Sequence, residues 1–253
     1  MKFSRIIRCL LPSSVARAAR SLISRFDASL DWSPHQVPSY SQEGEDLILN
    51  RIFGHREPGF YVDVGAHHPM RFSNTYFFYR MGWRGINIDA MPGSMAAFHK
   101  ARPRDISLEI PVMEHEGVLT YYQFNEPALN GFSKSLSDSR DGKGGYHITS
   151  ATEIRGLPLH DILNRYLPEN MEIDFLSVDV EGLDLEVLRS NDWSRYRPKV
   201  VMAELLESSL SNMSENPVYD LMEKNGYQLF AKSMNTAFFL SDEFLALRSI
   251  QAA

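Results

Sequence analysis

From about residue 58 the sequence alternates short apolar runs with amphipathic stretches, the pattern of a parallel sheet covered by helices. The apolar runs predict strands over residues 60–64, 85–89, 106–112, 174–178, 199–204, 227–230 and 236–240, with an added β segment at 119–124. Helices are predicted over 74–81, 95–101, 157–166, 183–189 and 217–225, and the glycine-rich residues 129–147 as a mobile surface loop. We therefore expect an α/β domain with a mostly parallel sheet and helices on both faces, in which the last two strands can pair antiparallel.

The N-terminal segment differs from the rest of the chain in charge. Residues 1–26 hold six of the 26 Lys and Arg residues and no acid, which leaves 20 basic and 32 acidic residues in the remainder. Apolar residues recur at helical spacing between Phe3 and Val15, although Pro12 interrupts them. We expect residues 1–38 to form a basic amphipathic extension to a domain over 39–253. Three alternatives stay open: packing on the domain or a second subunit, weak contact of residues 1–26 with an anionic membrane surface, and disorder.

Composition restricts the compartment and the partners. The single cysteine, Cys9, excludes an intrachain disulfide and a zinc site built from cysteines, so the fold does not depend on an oxidising compartment. We expect a cytoplasmic protein, peripheral to the inner face of a membrane if the basic extension binds lipid. The acidic body is a poor match for nucleic-acid phosphates, and a small-molecule or carbohydrate partner is expected instead.

The most informative segment runs from Phe60 to Pro69 and reads FYVDVGAHHP. It sets Asp63 and Gly65 at the end of a predicted buried strand, where ligands bind in open α/β sheets. A dinucleotide-binding loop needs G-x-G-x-x-G, and only Gly65 is present, which disfavours NAD and FAD. Asp89 ends the next strand, 26 residues later, where a carboxylate can accept both ribose hydroxyls. Two acids suit a cofactor with an ammonium and a sulfonium better than one with a pyrophosphate, which favours S-adenosylmethionine.

An ordered set of short motifs extends over most of the chain. It comprises SQEGED at 41–46, VDVGA at 62–66, SNT at 73–75, GWRG at 82–85, ID at 88–89, DVEG at 179–182, and Glu204. Each motif is weak alone, but their order and spacing over residues 39–240 resemble the FkbM-type S-adenosylmethionine-dependent methyltransferases. The resemblance implies a Rossmann-like class I methyltransferase sheet of seven strands, mostly parallel, with a C-terminal antiparallel strand. It also implies S-adenosylmethionine as the cofactor and O-methylation of a sugar, glycan or secondary-metabolite hydroxyl.

The resemblance also implies which residues contact the cofactor. Those residues are Glu43, Asp63, Gly65, Ala66, His67, Asp89, Val112 and Asp179. Asp63 to His67 would line the methionine and ribose side, Asp89 would hold the ribose, and Val112 would flank the adenine. Glu43, with Gln42, would approach from an N-terminal helix. His67-His68-Pro69 stands where many methyltransferases have a second glycine.

The catalytic prediction centres on Asp179 and Glu181, at the end of the central strand. Methyl transfer to a hydroxyl requires an aligned acceptor and removal of its proton. We predict that Asp179 orients the cofactor or acceptor and that Glu181 is the base, although Glu181 could instead cap the following helix. His67 and His68 are the rival bases, because an unperturbed histidine has a pKa of about 6.5. Asp179, Glu181 and Glu204 could bind a divalent metal, but their spacing does not require one and none is predicted.

Three competing functions use the same sheet. A dehydrogenase is disfavoured by the missing glycines. A nucleic-acid methyltransferase is disfavoured by the acidic body, and also because DVEG at 179–182 lacks the proline and aromatic expected for attack on a base amine. A non-catalytic binding protein on a methyltransferase fold is the main alternative.

Overall fold

The computed structural model describes residues 36–54, 57–126, 129–180, 182–205, 209 and 211–251. The chain divides into two compact units, Met1–Pro38 and Ser39–Ala253, and the fold below is that of the second. The predicted amphipathic extension lies, up to residue 35, outside the described residues. No helix in the described ranges is long and apolar enough to cross a membrane.

Nine strands in the described residues form one large and one small sheet. They are β1 (Phe60–Val64), β2 (Arg84–Asp89), β3 (Ile106–Glu109), β4 (Gly117–Phe124), β5 (Ile148–Gly156), β6 (Phe175–Val178), β7 (Val200–Glu204), β8 (Tyr227–Lys232) and β9 (Thr236–Ser241). The large sheet has the order β3-β2-β1-β6-β7-β9-β8, and β4 pairs with β5 separately. Neighbours from β3 to β7 are parallel, whereas β9 is antiparallel to both β7 and β8. The predicted fold class, a mostly parallel sheet of seven strands with a C-terminal antiparallel strand, is confirmed.

Helices cover both faces of the large sheet. The helices in the described residues are α1 (Glu45–Phe53), α2 (Tyr76–Arg80), α3 (Met95–Ala101), α4 (Lys134–Arg140), α5 (Leu159–Tyr166), α6 (Asp184–Arg189), α7 (Pro217–Lys224) and α8 (Asp242–Gln251), of which α4 lies against β4 of the small sheet. Apolar residues of α5, α6 and α7 pack in one cluster with one face of the strands. Apolar residues of α1, α2 and α8 pack in a second cluster with the other face. This layering explains why the central strands β1, β6 and β7 are mostly apolar, since a strand buried on both faces has no solvent side.

Alternation along β1 assigns its side chains to the two faces. Val62 and Val64 belong to the cluster with α5, α6 and α7, whereas Tyr61 belongs to the cluster with α1, α2 and α8. Asp63 shares the face of Tyr61, because side chains two residues apart lie on the same side of a strand. In register beside Asp63 are Asn87 of β2 and Ser177 of β6. This face is therefore apolar towards the amino ends of the strands and polar towards their carboxyl ends.

Four elements differ from the sequence prediction. The third strand ends at Glu109 and not at 112, since the carbonyl of Pro111 accepts the N–H of Leu157 and Val112 forms an isolated parallel bridge with Leu157. The predicted loop 129–147 is wrong in part, because it contains α4. The strand β5, which pairs with the predicted segment β4, and the helix α8 were not predicted.

Gly85 of β2 lies directly beside Tyr61 of β1, and a substitution at Gly85 tests this packing. A Cβ at Gly85 would lie 2.1 Å from Cδ2 of Tyr61 and 2.3 Å from its carbonyl oxygen. Because the backbone cannot give way as a flexible side chain can, Gly85→Ala is expected to lower the free energy of unfolding by about 3 kcal/mol, the upper end for overpacking. Gly131→Ala is the control, since a Cβ there meets nothing within 4 Å. Urea denaturation should show a change within about 0.5 kcal/mol for the control; equal effects of the two variants would contradict the packing.

Candidate functional site

A close approach of two backbones marks the carboxyl edge of the sheet. Gly65, directly after β1, has φ +85°, and a Cβ there would lie 1.8 Å from the carbonyl oxygen of Asp179, directly after β6. The N–H of Asp179 donates to the carbonyl of Val64 at 3.0 Å. The chain continues from β1 to β2 on one side and from β6 to β7 on the other, so this is a topological switch point. Open α/β sheets bind ligands in the crevice at such a point.

The loop after β1 is held by backbone hydrogen bonds. The N–H groups of Gly65 and Ala66 donate to the carbonyl of Ile88 at 2.9 and 3.1 Å. His67 has φ +52° at the centre of a tight turn, which the N–H of His68 closes onto the carbonyl of Ala66 at 2.6 Å. These bonds give the loop one defined path away from the strand, with the side chain of His67 exposed.

Asp89 connects this loop to the end of β2. One carboxylate oxygen accepts the N–H of His67 at 2.9 Å, and the other accepts the N–H of Met91 at 2.8 Å. A carboxylate has about four lone-pair positions, so each oxygen can also accept from a ligand hydroxyl. Asp89 is half-buried. The carboxylate is therefore fixed in orientation before any ligand arrives.

His68 supports the loop. Its Nδ1 accepts the N–H groups of Met70 and Arg71 at 3.1 and 2.9 Å. Burial lowers the pKa of His68, and the charges of His67, Arg71 and Arg102 lower it further. The ring is therefore neutral near neutral pH with its proton on Nε2. Because its unprotonated nitrogen already accepts from the backbone, His68 is unsuited to the role of rival base.

Asp63 is directed into the interior below the loop. It is 5% exposed and accepts a hydrogen bond from Oγ1 of Thr75 at 2.9 Å and one from Ser177. Burial raises the pKa of this carboxyl, while the Arg102 guanidinium and the two hydroxyls lower it. The predicted contact of Asp63 with the methionine part of the cofactor stays a prediction. In the structure, Asp63 contacts polar side chains beneath the crevice.

Sequence reasoning missed the residue at the centre of those side chains, Arg102. The Arg102 network comprises Asp63, Ser73, Thr75, Asn87, Arg102 and Asp105. The Arg102 side chain is fully buried and donates to the hydroxyls of Ser73 and Thr75 at 2.6 and 2.7 Å. Nothing in the sequence distinguishes Arg102 from an exposed cation at a helix end, because its acceptors come from distant segments.

The remaining predicted cofactor residues occupy separate places. Ala66 is buried against Met95 and Phe98. Val112 is half-buried and bridges to Leu157 beyond the end of β3. The carboxylate of Glu43 accepts from the hydroxyl of Ser233 at 2.9 Å and from the N–H of Asn235 at 2.8 Å, which ties it to the turn between β8 and β9. Glu43 precedes α1 and lies at a different part of the carboxyl edge from Gly65. Its contact with the cofactor stays a prediction.

The predicted catalytic residues follow β6. Asp179 is exposed beside Gly65. Glu181, the predicted base, lies outside the described residues. Within the described ranges, no group of three or more His, Cys, Asp or Glu residues is arranged to hold a metal ion.

A second pair of carboxylates lies nearby, at the start of α6 and the end of β7. Asp184 is 3% exposed, and its Oδ1 accepts the N–H of Glu204 at 3.0 Å. Burial, together with the negative charge of Glu204, raises the pKa of Asp184 to about 6, although the backbone N–H groups oppose this. Asp184 thereby joins the start of α6 to the end of β7.

A cavity of about 380 Å³ lies at the opposite, amino edge of the sheet. Two of its cations are already paired, Arg197 with Glu243 at 3.0 Å and Lys199 with Asp174 at 2.7 Å. The cavity contains none of the predicted site residues. We therefore place the candidate site at the carboxyl edge, where the loop after β1, Asp89 and Asp179 meet.

The sheet order, the antiparallel strand and the crevice at Gly65 define a class I methyltransferase fold. The model of the methyltransferase FkbM domain matches residues 63–229, and the chain belongs to this family of methyltransferases. Comparison with curated proteins gives no match. A TehB-like SAM-dependent methyltransferase from Corynebacterium glutamicum aligns over 89% of this chain and 99% of its own, at 9% identity and a TM-score of 0.39.

The raised pKa of Asp184 makes a prediction about stability. Between about pH 4 and 6 the folded state binds more protons than the unfolded state, so this group's contribution to stability decreases as the pH rises through that window. Asp184→Asn keeps an acceptor for the N–H of Glu204 but does not titrate. Relative to the wild type, the variant should gain roughly 2 kcal/mol of unfolding free energy between pH 4 and 7. Urea denaturation at both pH values measures this, with exposed Asp220→Asn as the control; parallel curves for wild type and Asp184→Asn would contradict it.

Proposed function

We propose that the protein is an S-adenosylmethionine-dependent O-methyltransferase that acts on a sugar, glycan or secondary-metabolite hydroxyl. The observation that supports it best is the topological switch point at Gly65, where the ends of β1 and β6 meet near Asp89 and Asp179. Membership of the FkbM family supports the methyltransferase class. The acceptor class is the finer part of the proposal.

The residues at the carboxyl edge fit the donor. Asp89 would accept the two ribose hydroxyls with oxygens that backbone N–H groups already orient. Asp179 and Glu181 supply negative charge, which favours a cation over a pyrophosphate. Gly65 permits the close approach of the Asp179 carbonyl, which brings the ends of β1 and β6 together where the donor would bind. When bound, S-adenosylmethionine supplies an activated methyl group, so the chain itself must bind, align and deprotonate the acceptor.

Proton removal is assigned to Glu181, with His67 as the alternative. Asp184, three residues after Glu181 in the sequence, accepts the N–H of Glu204 at the end of β7. Asp179 would orient the donor or the acceptor at the same turn. His67 is exposed at the other side of Gly65 and could approach the same acceptor hydroxyl.

Exposed apolar side chains favour an acceptor with an apolar part. They lie on connections at the carboxyl edge of the sheet: Met70 and Phe72 after β1, Met91 after β2, Leu183 after β6, and Met234 between β8 and β9. Contact with an apolar part of the acceptor would remove these side chains from water, which is favourable in free energy. A secondary metabolite or a lipid-linked sugar therefore fits better than a fully polar glycan.

The donor site is tested with Asp89→Ala. Calorimetric titration with S-adenosylhomocysteine should show binding to the wild type and an affinity about 10- to 100-fold lower in the variant, because two charge-assisted hydrogen bonds are lost. Asp220→Asn is the control and should bind as the wild type does. Heat from NADH in place of S-adenosylhomocysteine would redirect the assignment to a dehydrogenase. Binding without any turnover on apolar or sugar hydroxyls would favour the non-catalytic alternative.

The base is tested with Glu181→Gln. Loss of a general base typically costs about 10²- to 10⁴-fold in rate. The affinity for S-adenosylhomocysteine should change little, since this ligand lacks the sulfonium charge and the amide occupies the same volume as the carboxylate. Turnover and the affinity for S-adenosylhomocysteine are measured together. His67→Asn is the matched variant, and unchanged turnover in Glu181→Gln with loss in His67→Asn would transfer the role to the histidine.

A further inference from the structure

Arg102 is a buried charge for which the proposed chemistry has no use. Its side chain is 0% exposed and lies over the rings of Tyr76 and Phe98, each centroid at 5.3 Å from the guanidinium carbon. Removing a guanidinium from water is costly unless its donors are paired. Its partners therefore indicate what the charge does.

The donors of Arg102 reach both ends of one stretch of chain. Nε donates to the carbonyl of Pro69 at 2.7 Å, within the loop after β1. Nη2 donates to Oγ of Ser73 at 2.6 Å, at the end of that loop. Nη1 donates to Oγ1 of Thr75, the residue before α2, at 2.7 Å. A single planar group thus fixes three points of residues 69–75.

The same guanidinium is anchored to the sheet. Nη1 also donates to Oδ1 of Asn87 at 3.2 Å and lies 3.8 Å from the Asp105 carboxylate. Through Thr75, whose hydroxyl donates to Asp63 at 2.9 Å, it is linked to the end of β1. Asp105 is in turn held by the hydroxyl of Tyr61 at 2.6 Å and the N–H of Gly85 at 3.0 Å. The loop is therefore fixed to β1 and β2 below the crevice.

We propose that Arg102 is a positioning residue for donor binding: it holds the Gly65–Thr75 loop against β1 and β2 and so keeps the N–H of His67 on Asp89. This inference depends on the proposed function only for its effect on donor affinity. The fork of five N–H donors explains why the residue is arginine, since a lysine could not reach Pro69, Ser73 and Thr75 together in one plane.

Ser73 and Thr75 permit a test that leaves the arginine in place. Ser73→Ala removes the acceptor of Nη2, and Thr75→Val removes the link to Asp63, whereas Thr75→Ser retains a hydroxyl. Ser190→Ala is the control, because Ser190 is equally buried and its hydroxyl also accepts a backbone N–H, that of Leu159 at 3.0 Å, in a part of the fold remote from the loop.

The first readout is amide hydrogen exchange of residues 65–75 in the ligand-free protein. This region contains hydrogen-bonded N–H groups at Gly65, Ala66, His67, His68 and Ser73. Exchange should become about tenfold faster in Ser73→Ala and Thr75→Val, the scale of one charge-assisted hydrogen bond, and stay unchanged in Thr75→Ser and Ser190→Ala. Unchanged exchange in Ser73→Ala and Thr75→Val would overturn the inference, whatever the protein binds.

The second readout is the affinity for S-adenosylhomocysteine, measured well below the melting temperature of every variant. We expect it to fall about tenfold in Ser73→Ala and Thr75→Val and by less than about twofold in Ser190→Ala, even where Ser190→Ala is the less stable protein. Loss of affinity that simply follows stability across all variants would overturn a positioning role. Faster loop exchange in a protein whose wild type does not bind S-adenosylhomocysteine would support the positioning of the loop and reject the proposed function.

Discussion

The carbonyl oxygen of Asp179 occupies the position that a Cβ of residue 65 would need, 1.8 Å away, and the arrangement of the carboxyl edge follows from this contact. It brings the ends of β1 and β6 together and admits only glycine at position 65. The connections after the two strands must then diverge, because each continues to a strand on the opposite side. A crevice opens between them, with Asp179 on one side and the loop to α2 on the other. The topology alone therefore sets donor-binding and catalytic candidates beside each other.

Local sequence patterns predicted a strand or helix with its correct bounds where the apolar residues of the segment follow a single pattern of burial. The strand Phe60–Val64 is buried on both faces and was predicted with its observed bounds, as was the helix Met95–Ala101. The strand Ile148–Gly156 was missed because five of its nine residues are exposed and only one is buried, so that it shows no hydrophobic periodicity. Bounds were least accurate at Pro111, because its carbonyl accepts the N–H of Leu157 and the chain there pairs with residue 157 and not with β2.

The candidate site was predictable only as a set of strand ends. Asp89 and Gly65 follow from the rule that parallel strands present their carboxyl ends at one edge. The direction of a side chain at a strand end does not follow so simply. Asp63 lies two residues after Tyr61 and therefore shares its interior face of the sheet. Because β1 is buried on both faces, the sequence pattern could not show whether Asp63 points into the interior or towards the crevice. Arg102 was invisible because its acceptors lie between 3 and 33 residues away along the chain and meet only in the fold.

A buried arginine is a poor source of stability, since an apolar side chain of similar volume often serves a core as well or better. The presence of Arg102 beneath the crevice is explained by the fixed loop position that it provides and that an apolar side chain could not provide. Apolar packing is indifferent to small shifts of a loop, whereas a planar fork of donors is satisfied in one geometry only. Because the Asp89 carboxylate receives the N–H of His67, a shift of the loop would displace the group expected to hold the ribose. The polar interior of this half of the sheet thus fixes the distance between the loop and Asp89, and the fold is somewhat less stable than it would be with an apolar interior.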